Sequence, residues 1–260
     1  MSAVLKPSKS KSVKDRVSKE EWNLRVDLAA AYQIAALFKW TDWIFTHFSA
    51  RLAGHEEFLI NPYGLLFEEI TASNLIRIDH HGKVLDDPTG LGYNEAGFVI
   101  HGCIHEARPE AACVIHTHTR AGVAVSAMKC GLLPISQHAM RVQREVSYHD
   151  YEGIALDMDE RTRMAADIGK KSRVMILRNH GLLALGETVR EAFELMYYLD
   201  CACQIQVDAV AGGMDNVIQM SKSAGDAAAK QFNRPNRPSQ HKDWPALLRL
   251  LERKGSNYAS

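Results

Sequence analysis

A mixed α/β fold is what this sequence predicts, and three observations carry that expectation. Short apolar, partly β-branched runs, Ala111-Ala112-Cys113-Val114-Ile115 and Val174-Met175-Ile176-Leu177, read as buried strands. Around them lie stretches with helical spacing, two of them opened by capping boxes, Ser18-Lys19-Glu20-Glu21 and Thr188-Val189-Arg190-Glu191. With 260 residues, 46% of them hydrophobic, the chain can bury a full core as one large domain with tails.

Residues 1–18 carry four Lys and one Arg against one Asp and few large apolar side chains, so they are expected to form a flexible basic tail. The domain proper is expected over 19–215. Its first helix spans about 19–38, with Trp22, Val26, Ala29, Ala30, Gln33 and Leu37 on one stripe. Strand-like pieces follow at Phe45–Leu52, Phe58–Ile60 and Leu75–Ile78, the last closed by the polar turn Asp79-His80-His81-Gly82. Asn94–Ala107 reads as a helix that Arg108-Pro109 terminates. After the 111–115 strand, Arg120–Met128 is helical and Leu132–Ile154 is loop-rich. Residues 159–170 are helical, 173–178 a strand, and 182–185 its continuation past a bend at Asn179-His180-Gly181. A long helix then runs from Thr188 to about Ala211. Residues 216–260 read as a polar C-terminal tail with one short helix near Trp244–Leu251, and no internal repeat is visible.

Formal net charge is zero, which points to no nucleic acid and no anionic membrane as a partner. No apolar run approaches the roughly 18 residues of a membrane span, and the N-terminus has no hydrophobic signal core, so a cytoplasmic protein is expected. Five scattered cysteines make neither a disulfide framework nor a zinc pattern and are expected as reduced, mostly buried thiols.

His116-Thr117-His118 closes the first buried strand, and His180 follows the second in Arg178-Asn179-His180-Gly181. Residues two apart on a strand share a face, with Cα atoms roughly 6.6 Å apart, a span that two imidazoles can close onto one ion at about 2.0–2.1 Å per Zn–N bond. Two strands would thus deliver three imidazoles to one end of a sheet.

The segments Phe58-Leu59-Ile60-Asn61-Pro62-Tyr63-Gly64, Arg108-Pro109-Glu110 through His116-Thr117-His118, and Leu177-Arg178-Asn179-His180-Gly181 occur in the order found in one known family. On them the chain resembles the class II aldolase/adducin family over about residues 20–215. The stretch Ser126–Ser136 and the cluster Tyr148-His149-Asp150-Tyr151 are more similar to the adducin head and its bacterial relatives than to the sugar-phosphate aldolases. The resemblance implies a three-layer α/β/α fold with a mostly antiparallel central sheet, and a homotetramer with active sites near subunit boundaries. It also implies Zn2+, or Fe2+, Mn2+ or Co2+ in its place, on His116, His118 and His180. The activity implied is that of a lyase acting on a small hydroxy-carbonyl substrate through a metal-stabilised enolate.

The chain departs from the family at the proton-transfer position. The glutamate that serves as base in the sugar-phosphate aldolases falls on Gly97 here, and Glu95 lies two residues away, about 200° around a helix. His101 and His105 continue the Gly97 face, which makes His101 a candidate proton carrier, and His138 lies near the family's catalytic tyrosine. The resemblance places Asn61, Gly64, His47 and Tyr151 around the substrate. Thr46-His47 stands where the family has a glycine–asparagine element, and Glu95-Ala96 where it has small hydroxylated residues. A carboxylate there repels phosphate, so a non-phosphorylated substrate is expected. Two further readings stay open: a non-haem Fe(II) oxygenase on the same fold, since three imidazoles leave vacant positions, and a non-catalytic oligomerisation scaffold like the adducin head.

Overall fold

The computed structural model describes residues 12–153, 159–232, 234 and 242–260. Its centre is one eight-stranded sheet of β1 (His47–Arg51), β2 (Glu57–Ile60), β3 (Ile76–Asp79), β4 (Val84–Asp86), β5 (Cys113–Thr117), β6 (Val146–His149), β7 (Val174–Leu177) and β8 (Gly181–Gly186). The spatial order is β4-β3-β2-β1-β5-β8-β7-β6. Every neighbouring pair is antiparallel except β6 and β7 at one edge. The helices are α1 (Val13–Arg16), α2 (Lys19–Leu37), α3 (Glu95–Ala107), α4 (Arg120–Ser126), α5 (Gln137–Val142), α6 (Glu160–Ile168), α7 (Val189–Val210), α8 (Lys222–Phe232) and α9 (Asp243–Arg253).

Alternation along each strand splits the core into two layers. Phe48, Ala50, Cys113, Ile115, Val174, Ile176, Leu182 and Ala184 face one way, against Leu28, Tyr32 and Ile34 of α2 and Phe193, Leu195 and Leu199 of α7. Val114, Met175, Leu177, Leu183 and Leu185 face the other way, against Val99, Ile100 and Ile104 of α3 and Met164 and Ile168 of α6. The expected three-layer α/β/α arrangement with a mostly antiparallel sheet is therefore what the chain forms. None of the described helices is long and apolar enough to cross a membrane.

The helix starts follow the capping chemistry in the sequence. Ser18 Oγ accepts the Glu21 amide at 3.0 Å, and Thr188 Oγ1 accepts that of Glu191 at 3.1 Å. Glu21 does not complete its box; its carboxylate turns to Arg25, which donates from Nε at 2.9 Å. Arg25 is fully buried and also donates to the carbonyls of Ala72 and Leu75, at 3.3 and 2.8 Å. One guanidinium thereby ties α2 to the segment that enters β3.

Four expectations are corrected. The segment 182–185 does not continue the preceding strand; β7 and β8 form an antiparallel hairpin, which Asn179 permits by adopting a left-handed φ of 57°. The loop-rich region contains α5 and β6; α5 is only six residues long and shows no stripe, while β6 owes its conformation to a distant parallel partner. Of the expected basic tail, residues 1–11 lie outside the described residues; Ser12 caps α1, and Arg16 pairs with Asp86 at 2.8 Å. The region 216–260 holds two helices, α8 and α9, and Trp244, Leu251 and Tyr258 join the larger core layer. All five cysteines are free; Cys130 is exposed, and burial pushes the Cys103 thiol up to about 12.

Arg25→Ala strands two buried carbonyls and leaves the Glu21 carboxylate with Arg77 as its remaining cation. The expected loss is about 3–5 kcal/mol of stability, read as a lower urea midpoint with an unchanged slope.

Candidate metal centre

Strand register builds the centre. In β5 the side chains of Val114 and His116 point to the α3 layer, and His116 stands directly opposite His47 of β1. Thr117 pairs with Leu182, so the β7–β8 hairpin tip rises beside the end of β5, where His118 emerges. Gly181 allows that approach: a Cβ there would sit 2.5 Å from the Thr117 carbonyl oxygen and 3.0 Å from the His118 ring. The glycine after His180 thus brings the third imidazole in.

The three rings converge through Nε2. His116 Nε2 lies 2.9 Å and His180 Nε2 3.0 Å from His118 Nε2. The ligand atoms of all three lie within 4.8 Å of one another. Tetrahedral zinc bonds of about 2.0–2.1 Å set donors roughly 3.3–3.4 Å apart, so the two pairs that share His118 stand within a few tenths of an ångström of the spacing an ion requires. The opposite nitrogens are committed. His116 Nδ1 donates to the Leu182 carbonyl at 3.0 Å, and His118 Nδ1 to Asp42 Oδ2 at 2.9 Å. With the proton held at Nδ1, a neutral ring keeps its lone pair at Nε2. Burial, and then the neighbouring imidazoles, push His116 far below the ordinary histidine range and His180 to about 4. Neutral lone pairs are what a divalent cation requires, so the donor set fits the metal expected from the sequence.

The other candidates separate clearly. His47 and His101 come together beside the trio: the His47 ring is 5.1 Å from that of His116, and His47 Nδ1 lies 2.8 Å from His101 Nε2. Tyr151 is 55% exposed, with its ring 6.3 Å from His180. Glu95 is already in the first turn of α3, capped by Asn94, and is exposed, so the helix turns it away from the Gly97 face. His138 packs on Tyr198 of α7 in the opposite helical layer and does not meet the trio within this chain. Asn61 is buried with its Oδ1 2.8 Å from Tyr32 Oη, where it anchors the end of β2 to α2. Gly64 sits in an exposed turn at φ 114°. Of the 148–151 cluster, Tyr148 Oη accepts the Leu132 amide at 3.0 Å, and His149 Nδ1 pairs with Asp167 at 2.7 Å. Sequence reasoning missed Asp42 and Ser49. Only the polar i, i+2 pair His47 and Ser49, alternating with Phe48 and Ala50 in β1, signalled the latter.

With this geometry in view, the sequence profile described as the Class II Aldolase and Adducin N-terminal domain matches residues 26–207. The chain belongs to the class II aldolase and adducin family. The crystal structure of an aldolase II superfamily protein from Pseudomonas syringae is similar at 52% identity and TM-score 0.92, over 96% of this chain and 100% of that one. An L-fuculose 1-phosphate aldolase from Glaciozyma antarctica is similar at 26% identity and TM-score 0.81, over 97% and 96% of the two chains. Rattus norvegicus alpha-adducin is 45% identical over 250 residues, which is 91% of this chain but 34% of that protein. Gly97 is sterically enforced: a Cβ there would lie 2.8 Å from His47 Cδ2 and 2.9 Å from its Cγ.

His116→Ala is expected to abolish stoichiometric metal binding, and Asp42→Asn to weaken Zn2+ affinity by about 10–100-fold, both read by competition with a chromogenic chelator. A second expectation concerns pH. Burial first, and Arg51 second, lower His105 to about 3. A histidine depressed in the folded state contributes stability that is complete above its unfolded value near 6.5 and is lost as pH falls toward 3. Each such group costs up to about 1.4 kcal/mol per pH unit in that window. His105→Gln should therefore flatten the acid limb of a stability-against-pH curve between pH 6.5 and 4.

Proposed function

We propose that the protein is a divalent-metal-dependent lyase of the aldolase type, acting on a small, non-phosphorylated hydroxy-carbonyl or hydroxy-acid compound. The observation that carries this reading is the convergence of three Nε2 lone pairs with two of the opposite nitrogens already committed to Leu182 O and Asp42. The likeness to an L-fuculose 1-phosphate aldolase supports the reaction class. His116, His118 and His180 would hold Zn2+, with Fe2+, Mn2+ or Co2+ as substitutes. The bound ion would supply a Lewis acid that polarises the substrate carbonyl and steadies the negative charge left after C–C cleavage.

The chain's own groups define the rest. Asp42 orients His118, and the Leu182 carbonyl orients His116. His47 takes the space that a side chain at 97 would need, so the acceptor beside the ion is an imidazole rather than a carboxylate. Tyr151, on the outer side of His180, lies within reach of a bound substrate. We place the protein in the cytoplasm as a homotetramer. Trp43, 78% exposed next to Asp42 in the chain, and Phe45, 42% exposed, are apolar surface beside the centre that a second subunit would cover.

A non-catalytic assembly module is the second reading, favoured by Gly97, which leaves the family's proton-transfer position without a functional group. One experiment decides between them. Protein purified without chelators or added metal is analysed for elements and molar mass, then assayed for retro-aldol cleavage of a panel of hydroxy-ketones and hydroxy acids before and after chelation. The expected outcome is one divalent ion per chain and a cleavage activity that chelation abolishes and Zn2+ restores. Stoichiometric metal without turnover on any panel member would favour the assembly module, and absence of metal would end the enzymatic reading.

A further inference from the structure

Beside the metal centre, β1 and α3 enclose a continuous row of buried polar groups. His47 and Ser49 alternate with Phe48 and Ala50 along β1, so both face α3. His101 and His105 are one turn apart on α3 and face β1 in return. All four residues are at most 3% exposed. The contacts run from His105 Nδ1 to the Ala111 carbonyl at 3.0 Å, from His105 Nε2 to Ser49 Oγ at 2.8 Å, from Ser49 Oγ to His101 Nδ1 at 2.5 Å, and from His101 Nε2 to His47 Nδ1 at 2.8 Å.

The direction of every bond follows from its far end. A carbonyl oxygen only accepts, so the His105 proton sits on Nδ1. A neutral imidazole has one N–H, which makes His105 Nε2 an acceptor and obliges the Ser49 hydroxyl to donate to it. That hydroxyl has no second proton, so it accepts from His101 Nδ1–H. His101 Nε2 is then an acceptor, and His47 must donate to it from Nδ1. All three rings are at most 3% exposed, and burial disfavours the charged form of an imidazole; away from the trio it holds His105 near 3 and His101 well below the ordinary value. His47 Nε2, the last atom of the chain, has no hydrogen-bond partner among the described residues and lies 3.1 Å from the point where a Cβ on Gly97 would stand.

We propose that this chain locks His47 in its Nδ1–H tautomer, so that Nε2 is a fixed hydrogen-bond acceptor beside the metal centre and favours small ligands bearing a hydroxyl next to the metal-binding oxygen. The inference deepens the enzymatic reading above and rests on it for the ligand. A neutral acceptor differs from the family's carboxylate in one useful respect: it takes a hydroxyl proton donor without repelling an anionic group on the same ligand. Small hydroxy acids are therefore admitted alongside neutral hydroxy-carbonyl compounds. Ser49 is the positioning residue, since it acts on the ligand only through His101 and His47. Without its hydroxyl, His101 is free to protonate at Nε2 and donate to His47 Nδ1, which would turn His47 Nε2 from acceptor into donor.

The test uses the full chain, selectively labelled with 15N-histidine, metal-free and Zn2+-loaded. Long-range 1H–15N spectra of the wild type should show His47, His101 and His105 each protonated at Nδ1 and bare at Nε2. Binding of glycolate and of acetate, which differ by one hydroxyl, is then measured calorimetrically on the Zn2+-loaded wild type and on Ser49→Ala. The glycolate-to-acetate preference should fall at least fivefold in Ser49→Ala while Zn2+ affinity stays within twofold. A protonated His47 Nε2 in the wild type, or an unchanged preference in a folded Ser49→Ala, overturns the inference. If that variant does not fold, the wild-type tautomers decide alone. Zn2+ binding with the wrong tautomer sinks this inference and leaves the metal reading intact; correct tautomers without Zn2+ binding support the lock and sink the metal reading.

Discussion

A neutral imidazole has one proton and one lone pair, and the structure of this protein around its sheet end depends on where that proton is kept. In the trio, the Leu182 carbonyl and Asp42 hold it on Nδ1 of His116 and His118, so Nε2 is free to converge. In the row behind the trio, the Ala111 carbonyl holds it on Nδ1 of His105, and Ser49 and His101 transmit the same polarity to His47. Two arrangements thus fix tautomers at one end of the sheet. A backbone carbonyl starts each of them, Leu182 for His116 and Ala111 for the row, and the Asp42 carboxylate completes the first at His118.

The layered fold makes such a row affordable. A buried polar side chain costs free energy unless it is hydrogen-bonded, and β1 buries polar groups on its α3 side while its other side is ordinary core. His47 and Ser49 are kept there only because α3 offers His101 and His105 at helical spacing, one turn apart. The apolar residues around them on α3, Val99, Ile100, Cys103 and Ile104, pack onto Val114, Leu183 and Leu185 and fix the height of α3 above the sheet. Packing on either side of the polar row therefore sets its hydrogen-bond distances.

Much of this was legible in the sequence, for identifiable reasons. The convergence of the trio could be read because two of its histidines lie two apart at a strand end and the third precedes a glycine after a second apolar run. The main helices could be read from their caps, and the layer order followed from the family resemblance. What stayed hidden depends on contacts remote in sequence. Asp42 meets His118 across 76 residues, and the Leu182 carbonyl is a backbone group with no side-chain signature. The strand β6 is only four residues long, with Val146 and Tyr148 its two apolar positions, and it is held at the sheet edge by parallel pairing with β7. His138 lies apart from the trio within this chain because α5 turns it onto Tyr198, a layer that proximity in sequence does not fix.

Glycine at 97 and the histidine of β1 are one feature of the packing. A side chain at 97 and the ring of His47 compete for the same space, as the 2.8 Å approach of a Cβ to His47 Cδ2 shows. Glycine at 97 is therefore required by His47, and a carboxylate placed at 97 would displace the ring that now stands beside His116. In its place the fold holds a rigid, neutral ring whose direction is set three hydrogen bonds away. Glycine at 97 and the buried histidine row are in this sense one feature, formed on opposite sides of one β1–α3 contact.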